Sequence, residues 1–128
     1  MKEGAETVFI VDDDPSIRRS LERLVRAGGY SVQTFVSAQQ FLEHGNVEAP
    51  GCLVLDVRMP GQSGFDLQRV LEAAGHDIPL IFITGHADGP MTEAALRAGA
   101  VDLLAKPFDG EALLDAVRRA LAKRRPTD

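Results

Sequence analysis

Tryptophan is absent from this chain of 128 residues, and aromatic residues make up only 5% of it. Platforms on which nucleic-acid bases could stack are therefore scarce. Basic residues are outnumbered, 14 Lys and Arg against 19 Asp and Glu, for a net charge of −5. A chain of that sign is a poor non-specific binder of phosphate backbones. The single cysteine, Cys52, excludes an intrachain disulfide and any zinc site built from several thiolates. The three histidines, His44, His76 and His86, lack the paired spacing of a metal motif. The sequence also lacks a G-x-G-x-x-G fingerprint, a phosphate-loop lysine motif and a G-x-S-x-G elbow. Apolar runs last a few residues, far short of the ~20 needed to span a bilayer. The amino terminus, MKEGAETVFIV, carries acids where a secretory signal would be apolar. The expectation is a cytoplasmic protein with no membrane span.

What is present is an ordinary globular composition, 45% hydrophobic and 26% charged, at a length suited to one core. We read 1–128 as a single domain with its core at about 6–123. Short β-branched runs alternate with segments of helical period. Strands are expected at Thr7–Val11, Ser31–Phe35, Cys52–Asp56, Ile78–Thr84 and Ala100–Ala105. Helices are expected between and after them, marked by Ile17, Leu21, Leu24 and Val25, by SAQQFLEHG, by Leu67, Val70, Leu71 and Ala74, by Met91, Ala94, Ala95 and Ala98, and by Leu113, Leu114, Val117 and Leu121. Asp14 or Ser16 could cap the first helix around Pro15, Gly28–Gly29 would end it, and Ser37 could cap the second. Five β–α pairs with short connections give a doubly wound α/β fold: a five-stranded parallel sheet with helices on both faces. In such sheets functional groups gather beyond the carboxyl ends of the strands.

Those ends carry an unusual set of side chains. The first strand runs into Asp12-Asp13-Asp14, the third ends in Asp56, the fourth in Thr84, and Lys106 follows the fifth. Brought to one rim, the carboxylates would repel one another and raise each other's pKa. A divalent cation and an ammonium would relieve that repulsion. Mg2+ suits the set because it takes oxygen ligands, typically one or two carboxylates with water and phosphate. A carboxylate can also attack phosphorus to give an acyl phosphate, chemistry that asks chiefly for alignment and charge neutralisation.

VDDD, LDVRMPGQSG, FITGH and AKPF, in this order and spacing, resemble the receiver domain of bacterial response regulators over residues 6–123. The stretch ITGHADGPMTEAALRAGAVDLLAKPF is similar to the FixJ/NarL-like group in particular. The resemblance implies a flavodoxin-like strand order, 2-1-3-4-5, with five helices. It implies that Asp56 is the phosphoacceptor and that Asp12 and Asp13 hold Mg2+, Asp13 more directly, together with Asp56 and the backbone carbonyl of Arg58. Thr84 and Lys106 would contact the phosphoryl group, and Lys106–Pro107 would be a cis peptide. The donor would be a sensor histidine kinase. The output would be a change at the face of the fourth helix, fifth strand and fifth helix, with homodimerisation as one form of it. Such a domain is no enzyme in the usual sense, although it would catalyse its own phosphorylation from small donors and its own dephosphorylation.

Receivers often carry an aromatic residue three positions before the lysine; here that residue is Leu103, so an aromatic rotamer switch is excluded. Arg58 and His86 occupy positions that flank the phosphoryl group in receivers, with an exposed loop the plainer reading of His86. Asp14 reads as a helix cap, Cys52 as a core residue, and Gly61 and Gly64 as loop formers. Arg118, Arg119, Lys123, Arg124 and Arg125 make the last helix basic. That is either a solvated face or, over 124–128, the start of a linker to a DNA-binding domain. No helix-turn-helix lies in these residues, so no nucleic-acid partner is assigned to this domain. Three rivals are weaker. A flavin mononucleotide carrier would need a Ser/Thr/Gly loop where three aspartates stand. An aspartyl-nucleophile phosphatase would want an acid where Arg58 stands. A phosphorylation-independent interaction module has only the Leu103 departure in its favour.

Overall fold

A computed structural model describes residues 6–45, 51–59, 61, 63–85 and 88–124. His86 and residues 125–128, weighed above, lie outside the described residues, as do the side-chain surroundings of Arg124. The chain alternates β1 (Thr7–Val11), α1 (Pro15–Ala27), β2 (Ser31–Phe35), α2 (Ala38–His44), β3 (Gly51–Asp56), α3 (Gly64–Ala73), β4 (Leu80–Thr84), α4 (Gly89–Arg97), β5 (Asp102–Ala105) and α5 (Gly110–Arg124). All strand pairs are parallel and the sheet order is β2-β1-β3-β4-β5, as the resemblance implied.

Alternation along the strands builds two cores. Phe9, Leu53, Leu55 and Phe82 face α2, α3 and α4, where Phe41, Leu67, Leu71 and Ala95 meet them. Val8, Ile10, Val54, Ile81 and Ile83 face α1 and α5, where Leu21, Val25, Leu113, Val117 and Leu121 meet them. Every residue of β3 and β4 is buried, which is why both read as unbroken apolar runs. Full burial of each Val, Leu, Ile or Phe among them contributes about 1.5–3 kcal/mol. With both faces covered, the open part of the sheet is its rim, and the acids stand there.

Local chemistry sets the element ends. Asp14 caps α1 by accepting from the backbone N–H groups of Ser16 and Ile17, with Pro15 just inside the helix. Ser37 caps α2, accepting from the Gln40 N–H. Ser63 and Asp66 form a reciprocal capping box at the start of α3. Two strands are shorter than the sequence reading. The carbonyl of Pro79, which has no N–H of its own, accepts from Leu53, and β4 begins only at Leu80. Ala100 is occupied in closing α4, donating to Ala95 O, so β5 starts at Asp102.

Two helical stripes also differ. On α3 the buried face is Gly64, Leu67, Gln68 and Leu71, while Val70 is 40% exposed and Ala74 is exposed. On α4 only Ala95 is fully buried; Met91 is half-buried, and Ala94 and Ala98 are exposed. α5 adds Ala116 and Ala120 to its buried face, and Leu114 is half-buried. Among the described residues no helix is long and apolar enough to cross a membrane.

Candidate functional site

β1 and β3 are neighbours in register, Val11 opposite Leu55, so the residues just after β1 lie beside the end of β3. One carboxylate oxygen from each of Asp12, Asp13 and Asp56 falls within 4.8 Å of the others. Asp12 is fully buried, Asp56 is buried and Asp13 is exposed, a gradient from the sheet to solvent. The loop after β5 brings in Lys106, whose Nζ donates to Asp56 Oδ2 at 3.0 Å and lies 3.8 Å from Asp12 Oδ2. The Lys106 backbone N–H donates to Thr84 O at 2.8 Å, tying that loop to the end of β4, where Thr84 is buried. The Lys106–Pro107 peptide is cis, as expected.

Each carboxylate is oriented locally. Asp56 Oδ1 accepts from the backbone N–H of Arg58 at 3.0 Å, so both Asp56 oxygens have donors. Asp12 Oδ1 accepts from the backbone N–H of Asp14 at 2.9 Å. Asp12 Oδ2 has no hydrogen-bond partner among the described residues, although it is buried. Burial raises the Asp12 pKa above the ordinary carboxylate value; the Asp14 hydrogen bond and the Lys106 charge oppose this, while the Asp56 and Asp13 charges add to it. The repulsion among the acids that the sequence implies is therefore present, but desolvation is the larger cause. A buried, unpartnered oxygen facing an ammonium and two more carboxylates is costly unless something positive shares it. The all-oxygen donor set fits a hard divalent cation.

The sequence reading thus converges at one rim for Asp12, Asp13, Asp56 and Lys106, with Thr84 joined through its main chain. Arg58 is exposed and contributes its N–H to Asp56. Two neighbours were missed. Arg18 donates from Nη1 to the backbone carbonyl of Asp12 at 2.7 Å. Gly64 was read as a loop former, but it is the first residue of α3, and a Cβ there would stand 2.6 Å from Asp56 O. Its hydrogen atom is what lets α3 start against the Asp56 main chain. Gly61, with φ +85°, does serve loop geometry. Leu103, in the aromatic position, is 7% exposed and packs in the core with Ala95, Ala100 and Phe82.

The parallel doubly wound sheet, with three carboxylates and a lysine on its strand-end rim, is the arrangement that the resemblance to receiver domains implied. The sequence pattern of the response regulator receiver domain matches residues 8–118, and the chain belongs to that family, the receivers of two-component systems. It is 51% identical over 121 residues to the response regulator protein TodT of Pseudomonas putida, an overlap of 94% of this chain and 53% of TodT. The structure of the response regulator StyR is similar with a TM-score of 0.87 and 52% identity, covering 94% of this chain and 61% of that one. FixJ-N is similar with a TM-score of 0.87 and 39% identity, covering 99% of this chain and all of that one. The chain spans about half the length of TodT, TmoT and Nodulation protein W, and about a quarter of the C4-dicarboxylate transport transcriptional regulatory protein DctD.

Proposed function

We propose that this domain accepts a phosphoryl group on Asp56 from a sensor histidine kinase in a Mg2+-dependent reaction. The observation that carries the reading is the environment of the Asp56 carboxylate. One oxygen is held by the Lys106 ammonium and the other by the Arg58 N–H, in a cluster whose Asp12 Oδ2 is buried and unpartnered. An oxygen of Asp56 attacks phosphorus, the bond from phosphorus to the donor imidazole breaks, and an acyl phosphate remains on Asp56. Asp12, Asp13, Asp56 and the Arg58 carbonyl would hold the cation, which supplies positive charge to the phosphoryl oxygens. Lys106 moves from balancing a carboxylate to balancing the new phosphate, and the Thr84 hydroxyl donates a hydrogen bond to it.

The same reading assigns the output to the α4–β5–α5 face, with homodimerisation on phosphorylation, in a cytoplasmic setting. Leu96 is 47% exposed on α4, and Leu103 of β5 is buried in the same core cluster as Ala95 of α4. Control of transcription would act through a DNA-binding segment outside this domain, in keeping with relatives about twice as long. Light scattering with and without beryllofluoride tests the dimer: an increase in mass is expected, and an unchanged mass counts against it.

The direct test is intact mass after incubation with acetyl phosphate, with Mg2+ or with EDTA, for wild type and Asp56→Ala. A single Mg2+-dependent phosphoryl adduct, absent from the variant, is expected. An equal adduct on Asp56→Ala would sink the assignment. No adduct from any donor, histidine kinases included, would favour a phosphorylation-independent interaction module.

A further inference from the structure

We infer that Arg18 is a positioning residue for the carboxylates that would hold the cation, acting through the main chain of Asp12; this inference rests on the Mg2+ reading above. Arg18 is the fourth residue of α1, and its own N–H makes the helix's first backbone bond, to Asp14 O at 2.9 Å. A guanidinium near the positive end of a helix is electrostatically misplaced. The acids stand just before the first turn, with Asp14 as the helix cap, and Arg18 is held beside them by a 2.7 Å bond from Nη1 to the Asp12 carbonyl, a charge-assisted contact from a half-buried side chain.

That contact completes the restraint of the β1–α1 junction. The Asp12 N–H donates to Phe35 O at 3.2 Å, its Oδ1 accepts from the Asp14 N–H, and its carbonyl accepts from Arg18. Asp14 is in turn fixed as the cap of α1. Asp13, exposed, is therefore held by its two chain neighbours, and Arg18 closes the loop that holds both. A contact of this kind acts on a metal site as an outer-shell partner does, by limiting the orientations its ligands can take.

The charge of Arg18 and its geometry pull cation affinity in opposite directions, which makes the role separable. Loss of a positive charge near an acidic cluster favours a cation, whereas loss of the restraint disfavours it. Mg2+ affinity of the full chain is to be measured by titration calorimetry for wild type, Arg18→Met, Arg18→Lys and Arg19→Met. Arg19 is the adjacent, exposed arginine and controls for charge alone. Arg18→Met is expected to bind about tenfold more weakly, Arg18→Lys to recover part of the loss with its single donor group, and Arg19→Met to bind as well as wild type or slightly better. In EDTA, hydrogen exchange of the Asp14 amide is expected to speed up in Arg18→Met and not in Arg19→Met. Arg18→Met binding Mg2+ as tightly as wild type or more tightly, with only its melting temperature lowered, would overturn the inference. Should Arg18→Met fail to fold, Arg18→Lys binding as tightly as Arg19→Met would overturn it too. Wild type failing to bind Mg2+ at millimolar concentration would instead overturn the underlying reading, and this inference with it.

Discussion

The ammonium of Lys106 sits 3.0 Å from Oδ2 of Asp56, although fifty residues separate the two in the chain. Parallel strands β3, β4 and β5 put their carboxyl ends side by side, so a strand-end acid and a post-strand lysine meet without any local sequence relationship. The ammonium is one neighbour among three carboxylates: it hydrogen-bonds Asp56 Oδ2 and lies 3.8 Å from Asp12 Oδ2, so its charge competes with that of a cation for the same cluster. Lys106→Ala should therefore destabilise the domain in EDTA by about 1–3 kcal/mol, between the values for an exposed and a buried pair. The same variant should bind Mg2+ more tightly, because its competitor is gone. Urea denaturation in EDTA and a Mg2+ titration check the two halves. A variant as stable as wild type that binds Mg2+ no better would contradict the competition.

Asp12 gives a pH dependence with a definite sign. Burial raises its pKa in the folded state. A group of that kind stabilises the fold fully below its unfolded pKa, about 4 for an aspartate. Its contribution is lost as pH rises through the folded value. At neutral pH the metal-free domain therefore carries the cost of burying that carboxyl group. Asp12→Asn should raise the melting temperature in EDTA at pH 7 and change it little near pH 4. Mg2+ should raise the melting temperature of wild type more at pH 7 than at pH 5, and have little effect on Asp12→Asn. A lower melting temperature for Asp12→Asn in EDTA at neutral pH would show that desolvation is not what that carboxylate costs.

The rim was legible because strand ends are legible: LVLD and FIT stop being apolar at Asp56 and Thr84, and a parallel sheet collects such ends. Asp12, Asp13 and Lys106 follow from the same rule. Residues whose role is a main-chain contact left no such trace. Arg18 reads as one more arginine on a basic helix, and its bond to Asp12 O exists only once α1 has folded back on β1. Gly64 and Gln68 shift the buried face of α3 relative to the Leu67–Val70–Leu71–Ala74 stripe. A glycine admits close packing against Asp56 O, and Gln68 is kept inside by donating to Ala98 O at 2.9 Å. Periodicity counts apolar residues and registers neither effect. On α4 it marked four positions where the fold fully buries one, since alanine is tolerated on either face.

Cys52 should be chemically silent in the folded domain. It lies in β3 with no exposed surface, and burial, with the Glu6 charge adding, pushes its thiol up to about 12. At pH 8 that leaves on the order of one thiol in ten thousand ionised, and the thiolate is the reactive form. Iodoacetamide should label the native protein no faster than it unfolds globally, and should label it fully in urea. Rapid labelling of one thiol under native conditions, with the circular dichroism spectrum unchanged, would contradict the burial.

Gly64 offers the sharpest separation between packing and backbone conformation. A Cβ at this position would stand 2.6 Å from Asp56 O and 3.2 Å from Val57 Cα, and both are main-chain atoms that cannot swing aside as a side chain can. The Gly64 N–H also donates to Val57 O at 2.8 Å, so α3 cannot retreat without losing that bond. Gly64→Ala should cost about 1–3 kcal/mol of stability, in the range of overpacked cores. Because the displaced atom belongs to Asp56, the Arg58 amide resonance, which reports the bond to Asp56 Oδ1, should shift as well. Gly61→Ala is the contrast: its φ of +85° makes a side chain strained, but nothing lies within 4 Å of the added atom. It should cost about 1 kcal/mol and leave the Arg58 resonance in place. Equal effects of the two substitutions on that resonance would mean that the loop as a whole, and not the approach of α3 to Asp56, sets the acceptor's position.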